Sequence, residues 1–298
     1  AMGNSRRRNR KRWILKCTQH TSKTFRSPLH ATSKFTLEGN EVDFSYERNI
    51  KTPQINEKIY REVAGVEGFN LLFSSGMMSI FQAINFIKKV YKNKKAKGFV
   101  SAGYYETVLS KGVLHDIGVD WDLKTKENYD PNEVNVDEYD FFVFEPVRAT
   151  FNLDPTNIKL FLKKLSTNKK YPKVVIIDSS FIGNTFEMEE IISMAKKSNL
   201  IIFNIRSGIK HDQLGMEFCN VGYLDAYFLN EAAVLKDYTY THLLNGRDFI
   251  GGNISYTEYC LIDNPFTFSS KDTHAELVLD STYIFFKELK KDLSLIHI

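Results

Sequence analysis

The sequence predicts an α/β fold, a mainly parallel sheet sandwiched between helices. Three observations carry this. Strand-like and helix-like segments alternate along most of the chain. The strand-like segments are continuous apolar runs rich in Val, Ile and Phe, as strands covered on both faces require. Polar residues with chemical potential fall where those runs end, the edge at which such sheets gather ligands.

The elements follow in order. Residues 1–45 are polar and basic and read as an arm. From Asn56, NEKIYREVAGVEG reads as an amphipathic helix with Ile59, Val63 and Val66 on one face. NLLFSS is a short buried strand, followed by the helix MSIFQAINFIKKVYK; GFVSAG is a second strand and YYETVLSKGVLHDIG a second helix. YDFFVFEP is a third strand, NIKLFLKKLSTN a helix, and KVVIIDSS a fourth strand. EMEEIISMAKKS is a helix and NLIIFNIRS a fifth strand. The expected division is an arm over 1–45, a large domain over 46–250, and the start of a small C-terminal domain over 251–298.

Composition narrows the function classes. The chain has 298 residues, 43% hydrophobic and 26% charged, ordinary for a globular protein. The formal charge of +4 is misleading, because Arg6, Arg7, Arg8, Arg10, Lys11 and Arg12 contribute six positives with no acid among them. SRRRNRKR could bind nucleic acid, but a basic tail after AMGNS, which resembles a cloning remnant, is preferred, so nucleic acid is not the expected partner. Cys17, Cys219 and Cys260 form no CxxC and suggest neither disulfides nor a zinc cluster. No apolar run approaches the ~18 residues of a membrane span and no signal peptide is visible. A cytoplasmic protein without a membrane partner is expected.

Each strand-end residue has a chemical and a plain reading. SSGMMSIF, Ser74 to Phe81, puts small residues at a strand-to-helix junction, where Ser75, Gly76 and Met77 could offer free amides to a phosphate; the plain reading is an N-cap serine. It has neither GxGxxG nor GxxxxGK[ST] spacing. Asp178 closes VVIID, where a carboxylate is costly unless paired or hydrogen-bonded; it could face a protonated ring nitrogen or a metal, or cap the next segment. Lys210, after the Ser207-Gly208 turn, could snorkel to water or form a Schiff base with a carbonyl. Together on consecutive strands, Asp178 and Lys210 favour pyridoxal 5′-phosphate, which needs such a lysine and an acid beside its ring nitrogen. Tyr104 could stack on a flat ring or be a half-buried surface aromatic. Arg148 is a further polar residue at a strand end. His115, His211 and Glu145 have no metal-site spacing, and no metal is expected. GxSxG is absent as well.

These residues resemble the fold-type I pyridoxal phosphate enzymes, above all the Cys/Met-metabolism group of cystathionine synthases and lyases and methionine lyase. YERNIKTP is similar to that group's YSRxxNPT, which implies that Tyr46 and Arg48 reach the phosphate of a neighbouring subunit's cofactor. NEKIYREVAGVEGFNLLFSSGMMSI is similar to LExxxAxLEG…SSGMAAI and implies phosphate-binding amides at Gly76 and Met77. YYET resembles YGGT, DSSF resembles DNTF, and SGIK resembles SxTK. The resemblance thus gives Tyr104 the ring face, Asp178 the ring nitrogen, Ser207 the phosphate and Lys210 the Schiff base. FIGGNISY resembles the glycine-rich strand that opens the group's small domain. The likeness runs from about Tyr46 to Tyr256.

There are departures. Ile209 stands where the group has a phosphate-binding threonine, the GH after the lysine motif is missing, and Arg148 lies near the usual asparagine beside the ring hydroxyl. After one amphipathic helix, ELVLDSTYIFFKELKK, the chain ends in LSLIHI, which reads as non-native, so a C-terminally truncated chain is expected. The implied activity is β- or γ-elimination or replacement on an amino-acid substrate, in a homodimer or dimer of dimers. Alternatives are an aminotransferase and a non-catalytic or truncated homologue.

Overall fold

In the computed structural model, residues 60–91, 95–103, 119–123, 129–149, 153–166, 172–183, 186–213 and 219–254 are described, with a hairpin at 34–43 and single positions elsewhere. The hairpin pairs β1 (Lys34–Leu37) with β2 (Asn40–Asp43). The rest is one sheet with helices on both faces. In chain order its elements are β3 (Arg61–Val63), β4 (Val66–Phe73), α1 (Gly76–Val90), β5 (Ala96–Ser101), β6 (Val119–Leu123), β7 (Phe141–Phe144), α2 (Ile158–Leu165), β8 (Lys173–Asp178), α3 (Met188–Ala195), β9 (Leu200–Ser207), β10 (Gly222–Phe228) and α4 (Lys236–Ile250).

The eight strands lie in the order β3-β4-β10-β9-β8-β7-β5-β6. β9, β8, β7, β5 and β6 are mutually parallel. β10 runs antiparallel to both its neighbours, β9 and β4. Two reversals leave β4 pointing the same way as the parallel block, so the ends of β4, β5, β7, β8 and β9 share one edge.

Alternate strand residues supply two cores. Val174, Ile176, Ile201, Phe203 and Ile205 join Ile80, Ile84, Phe86 and Ile87 of α1 and Leu243 of α4 on one face. Val175, Ile177, Leu200 and Ile202 join Phe161, Leu162 and Leu165 of α2 and Ile191 and Ile192 of α3 on the other. Burial on both sides is why these strands read as unbroken apolar runs. Each large side chain so buried contributes roughly 1.5–3 kcal/mol, set against the entropy of ordering the chain.

Several expectations are corrected. NEKIYREVAGVEG is not a helix in its described part: Arg61–Val63 and Val66–Phe73 form a hairpin with Val63 opposite Val66. Ala64 and Gly65 adopt φ of 51° and 72°, the left-handed pair that a tight two-residue hairpin turn needs. FIGGNISY does not begin as a strand, because Phe249 and Ile250 end α4 and Gly251 is its left-handed C-cap. The helix expected over 104–118 lies outside the described residues. β6, β10 and α4 were not expected.

Candidate active site

α1 starts against the end of β9. Ser75 is its N-cap, extended at φ −165°, and its Oγ accepts from the Met78 amide at 3.1 Å. The Ser79 amide reaches the Ser75 carbonyl at 3.2 Å. The remaining first-turn amides, of Gly76 and Met77, have no hydrogen-bond partner among the described residues. A Cβ on Gly76 would lie 2.9 Å from that of Ser207, so glycine is what lets this turn approach the lysine-bearing turn so closely. Gly222 works in the same way, since a Cβ there would lie 2.1 Å from the Ser75 carbonyl oxygen.

Asp178 ends β8 and is 5% exposed. It accepts from the Ser180 amide at 3.0 Å, and the Ser180 hydroxyl in turn accepts from the Ser207 amide at 2.8 Å. The Ser179 hydroxyl donates to Asn204 Oδ1 at 2.9 Å. The turn after β8 is thereby tied to the end of β9, and Asp178 to the Ser207 region through a single serine.

Lys210 follows in the next turn. With Glu145, Ala149, Asp178, Ser180 and Phe181 it lines a depression of about 220 Å³, counting the part open to solvent. Glu145 is 3% exposed and accepts from the amides of Gly103 at 2.8 Å and Ala149 at 3.3 Å. Two buried carboxylates and one amine therefore share one hollow at the sheet edge. Glu145 and Ser180 were missed as site residues. Each follows an apolar strand as Asp178 does, and that position was the available signal.

Arg148 is buried but is not among the residues lining this hollow. Its guanidinium pairs with Asp154 at 3.7 Å and lies 5.6 Å over the Tyr129 ring. The Tyr129 hydroxyl is 2.7 Å from Ser101 Oγ, which is 3.1 Å from Thr156 Oγ1. Burial raises the Tyr129 hydroxyl above its ordinary pKa, partly offset by Ser101 and Arg148. Tyr46, Arg48 and Tyr104 lie outside the described residues. Among the described residues no group of three or more His, Cys, Asp or Glu could hold a metal ion, and no helix is long and apolar enough to cross a membrane.

No family model matches the sequence, and no curated protein matches it. Solved structures do match. A methionine gamma lyase from Micromonospora echinospora superposes with TM-score 0.53 at 13% identity over 78% of this chain and 57% of its own. The chain shares that fold. Yeast cystathionine gamma-lyase gives 0.52 at 14% identity over 84% of this chain and 61% of its own. MetB from Corynebacterium glutamicum gives 0.52 at 15%, over 84% and 62%. The chain spans about three fifths of the length of these structures. The fold-type I likeness read from SSGM, DSSF and SGIK thus agrees with the three-dimensional arrangement.

Proposed function

We propose that the carboxyl edge of this sheet holds pyridoxal 5′-phosphate and that the chain acts on an amino acid, by elimination or replacement at its β- or γ-carbon. The observation that carries the reading is the meeting of Lys210 and Asp178 in one hollow, with the helix start at Gly76 packed closely against Ser207. The donor set fits the group. Amides and a hydroxyl suit a phosphate, a buried carboxylate suits a protonated ring nitrogen, and an amine suits an aldehyde.

The cofactor would supply an electron-withdrawing ring for charge that develops at the substrate's α-carbon. The chain's own residues do the rest. Gly76, Met77 and Ser207 would bind the phosphate, and Ile209 adds no hydroxyl there. Asp178, held by the Ser180 amide, would keep a proton on the ring nitrogen. Lys210 would hold the aldehyde and, once the substrate amine has displaced it, its freed amine would move the proton at the α-carbon as a general base. Tyr104 is assigned the ring face and Arg148 the neighbourhood of the ring hydroxyl by resemblance, and a second copy is assigned Tyr46 and Arg48.

Pyridoxal phosphate added to the purified chain should produce a visible absorbance band that Lys210→Ala lacks. Borohydride reduction should then leave a pyridoxyl group on the peptide containing SGIK. An adduct elsewhere, or none at saturating cofactor, overturns the proposal. Ammonia released from sulfur amino acids favours elimination, whereas transfer of the amino group to a keto acid favours transamination.

A further inference from the structure

The Lys210 turn is held from behind by a pair of residues the proposed chemistry does not use. Arg206, next to last in β9, carries its side chain on the face opposite Ser207. Its Nε donates to Asp212 Oδ2 at 2.9 Å and its Nη2 lies 2.9 Å from Oδ1, a two-pronged fork. Asp212 is buried, and the guanidinium lies 4.6 Å over the Tyr223 ring. Burial alone would depress this guanidinium, yet Asp212 and Asp225 hold it above its ordinary value. Asp225 also pairs with Arg61.

The fork closes a ring of chain around Lys210. Inside it, the Ser207 amide is held by Ser180 and the Gly208 amide by the Val221 carbonyl at 2.8 Å. His211 Nε2 lies 3.0 Å from the Phe181 carbonyl. Just beyond it, the Gln213 amide group pairs with both the N–H and the carbonyl of Cys219, at 3.0 and 2.7 Å. A lysine reaches its target through four flexible carbons, so the placement of its amine depends on how firmly its backbone is fixed. Groups that react must be held to within roughly 0.5 Å of their working position. We infer that Arg206 and Asp212 are positioning residues for Lys210, whose fork fixes the lysine turn against Asp178. The inference rests on the cofactor reading above.

The test compares two ligands on the full 298-residue chain. Pyridoxal phosphate can bond to Lys210, whereas pyridoxamine phosphate offers the same ring and phosphate but no aldehyde. Asp212→Asn removes the charge of the fork at nearly constant shape. It should weaken pyridoxal phosphate binding about tenfold while changing pyridoxamine phosphate binding by less than about twofold. Equal loss for both ligands, or no loss for either, overturns the inference. Arg206→Lys keeps the charge pair, loses the second prong, and should show the same split; it serves as the second variant if Asp212→Asn folds poorly.

A second readout needs no cofactor. Reductive methylation with formaldehyde and cyanoborohydride, mapped by peptide, reports the reactivity of Lys210 against the exposed Lys163 as internal standard. Asp212→Asn should change the ratio at least about threefold, and an unchanged ratio overturns the positioning role. If the wild-type chain binds neither ligand, the cofactor reading fails, and methylation alone decides whether the fork positions Lys210.

Discussion

Asp178 is a residue whose charge and shape can be separated. Asp178→Asn keeps an oxygen for the Ser180 amide but no longer favours a proton on a facing ring nitrogen. The variant should fold and bind pyridoxal phosphate, with turnover lower by at least about 10²-fold, the usual contribution of one placed proton-holding group. Turnover within a factor of a few of wild type would remove Asp178 from the mechanism. At this scale Asp178 and Lys210 were conspicuous in the sequence because the first ends an apolar strand and the second follows one within three residues. Glu145 occupies the same kind of position after FFVF, but without a metal-site spacing or a partner in sequence it was passed over. Lys173 was illegible for the opposite reason. It starts an apolar run as if pointing to solvent, yet it is buried and donates to the carbonyls of Val136 and Tyr139, both at 2.7 Å. Hydropathy does not distinguish a lysine that caps carbonyls inside from one that reaches water.

Elements covered on both faces were the legible ones: the described parts of the expected strands at β4, β5, β7, β8 and β9 and of the helices at α1, α2 and α3 all form. α4 escaped because its buried stripe is Thr239, Leu243 and Arg247, correctly spaced for a helix but not apolar. β10 escaped because Asp225 interrupts it, a charge that Arg61 offsets across the sheet. β6, at the sheet edge, carries Asp120, paired with Lys95 at 2.6 Å, and Asp122, which accepts from the Tyr139 hydroxyl. Two tests belong here. Gly222→Ala would push a methyl onto the Ser75 carbonyl and should cost about 1–3 kcal/mol in urea unfolding. It should also weaken pyridoxal phosphate binding through the displaced α1 start; unchanged unfolding would show that the junction yields easily. His242 lies between the helices, 5.8 Å from the Phe86 ring, and burial, followed by the charge of Lys89, lowers its proton affinity. The unfolded chain takes up that proton near pH 6.5, the folded chain only at lower pH. Stability is therefore lost as pH falls below about 6.5, until the folded imidazole also protonates. His242→Phe should flatten this part of the stability profile, and a profile of unchanged slope would assign the loss to other groups.

At the scale of the molecule, the proposed sharing of each site between two copies can be tested by mixing. Lys210→Ala and Arg48→Ala should each fail to give the wild-type band at limiting pyridoxal phosphate. In a random mixture half the dimers are mixed, and each mixed dimer regains one complete site, so about a quarter of the wild-type band should return. No recovery after subunit exchange would place both residues in sites built from a single chain. The sheet order has a further consequence, which concerns time. Among the described strands β4 pairs only with β3 and β10, and β10 is the last strand made. At about 5–20 residues per second, the ribosome delivers β10 on the order of ten seconds after β4. Throughout that interval the parallel block from β5 to β9 can assemble, while VEGFNLLF has one edge without its neighbour. The helix start proposed to hold the phosphate and the turn that bears Lys210 are joined only when β10 arrives between their strands. A nascent chain is therefore exposed to mispairing while the residues between Phe73 and Gly222 are made, and this edge is assembled only after β10 has followed.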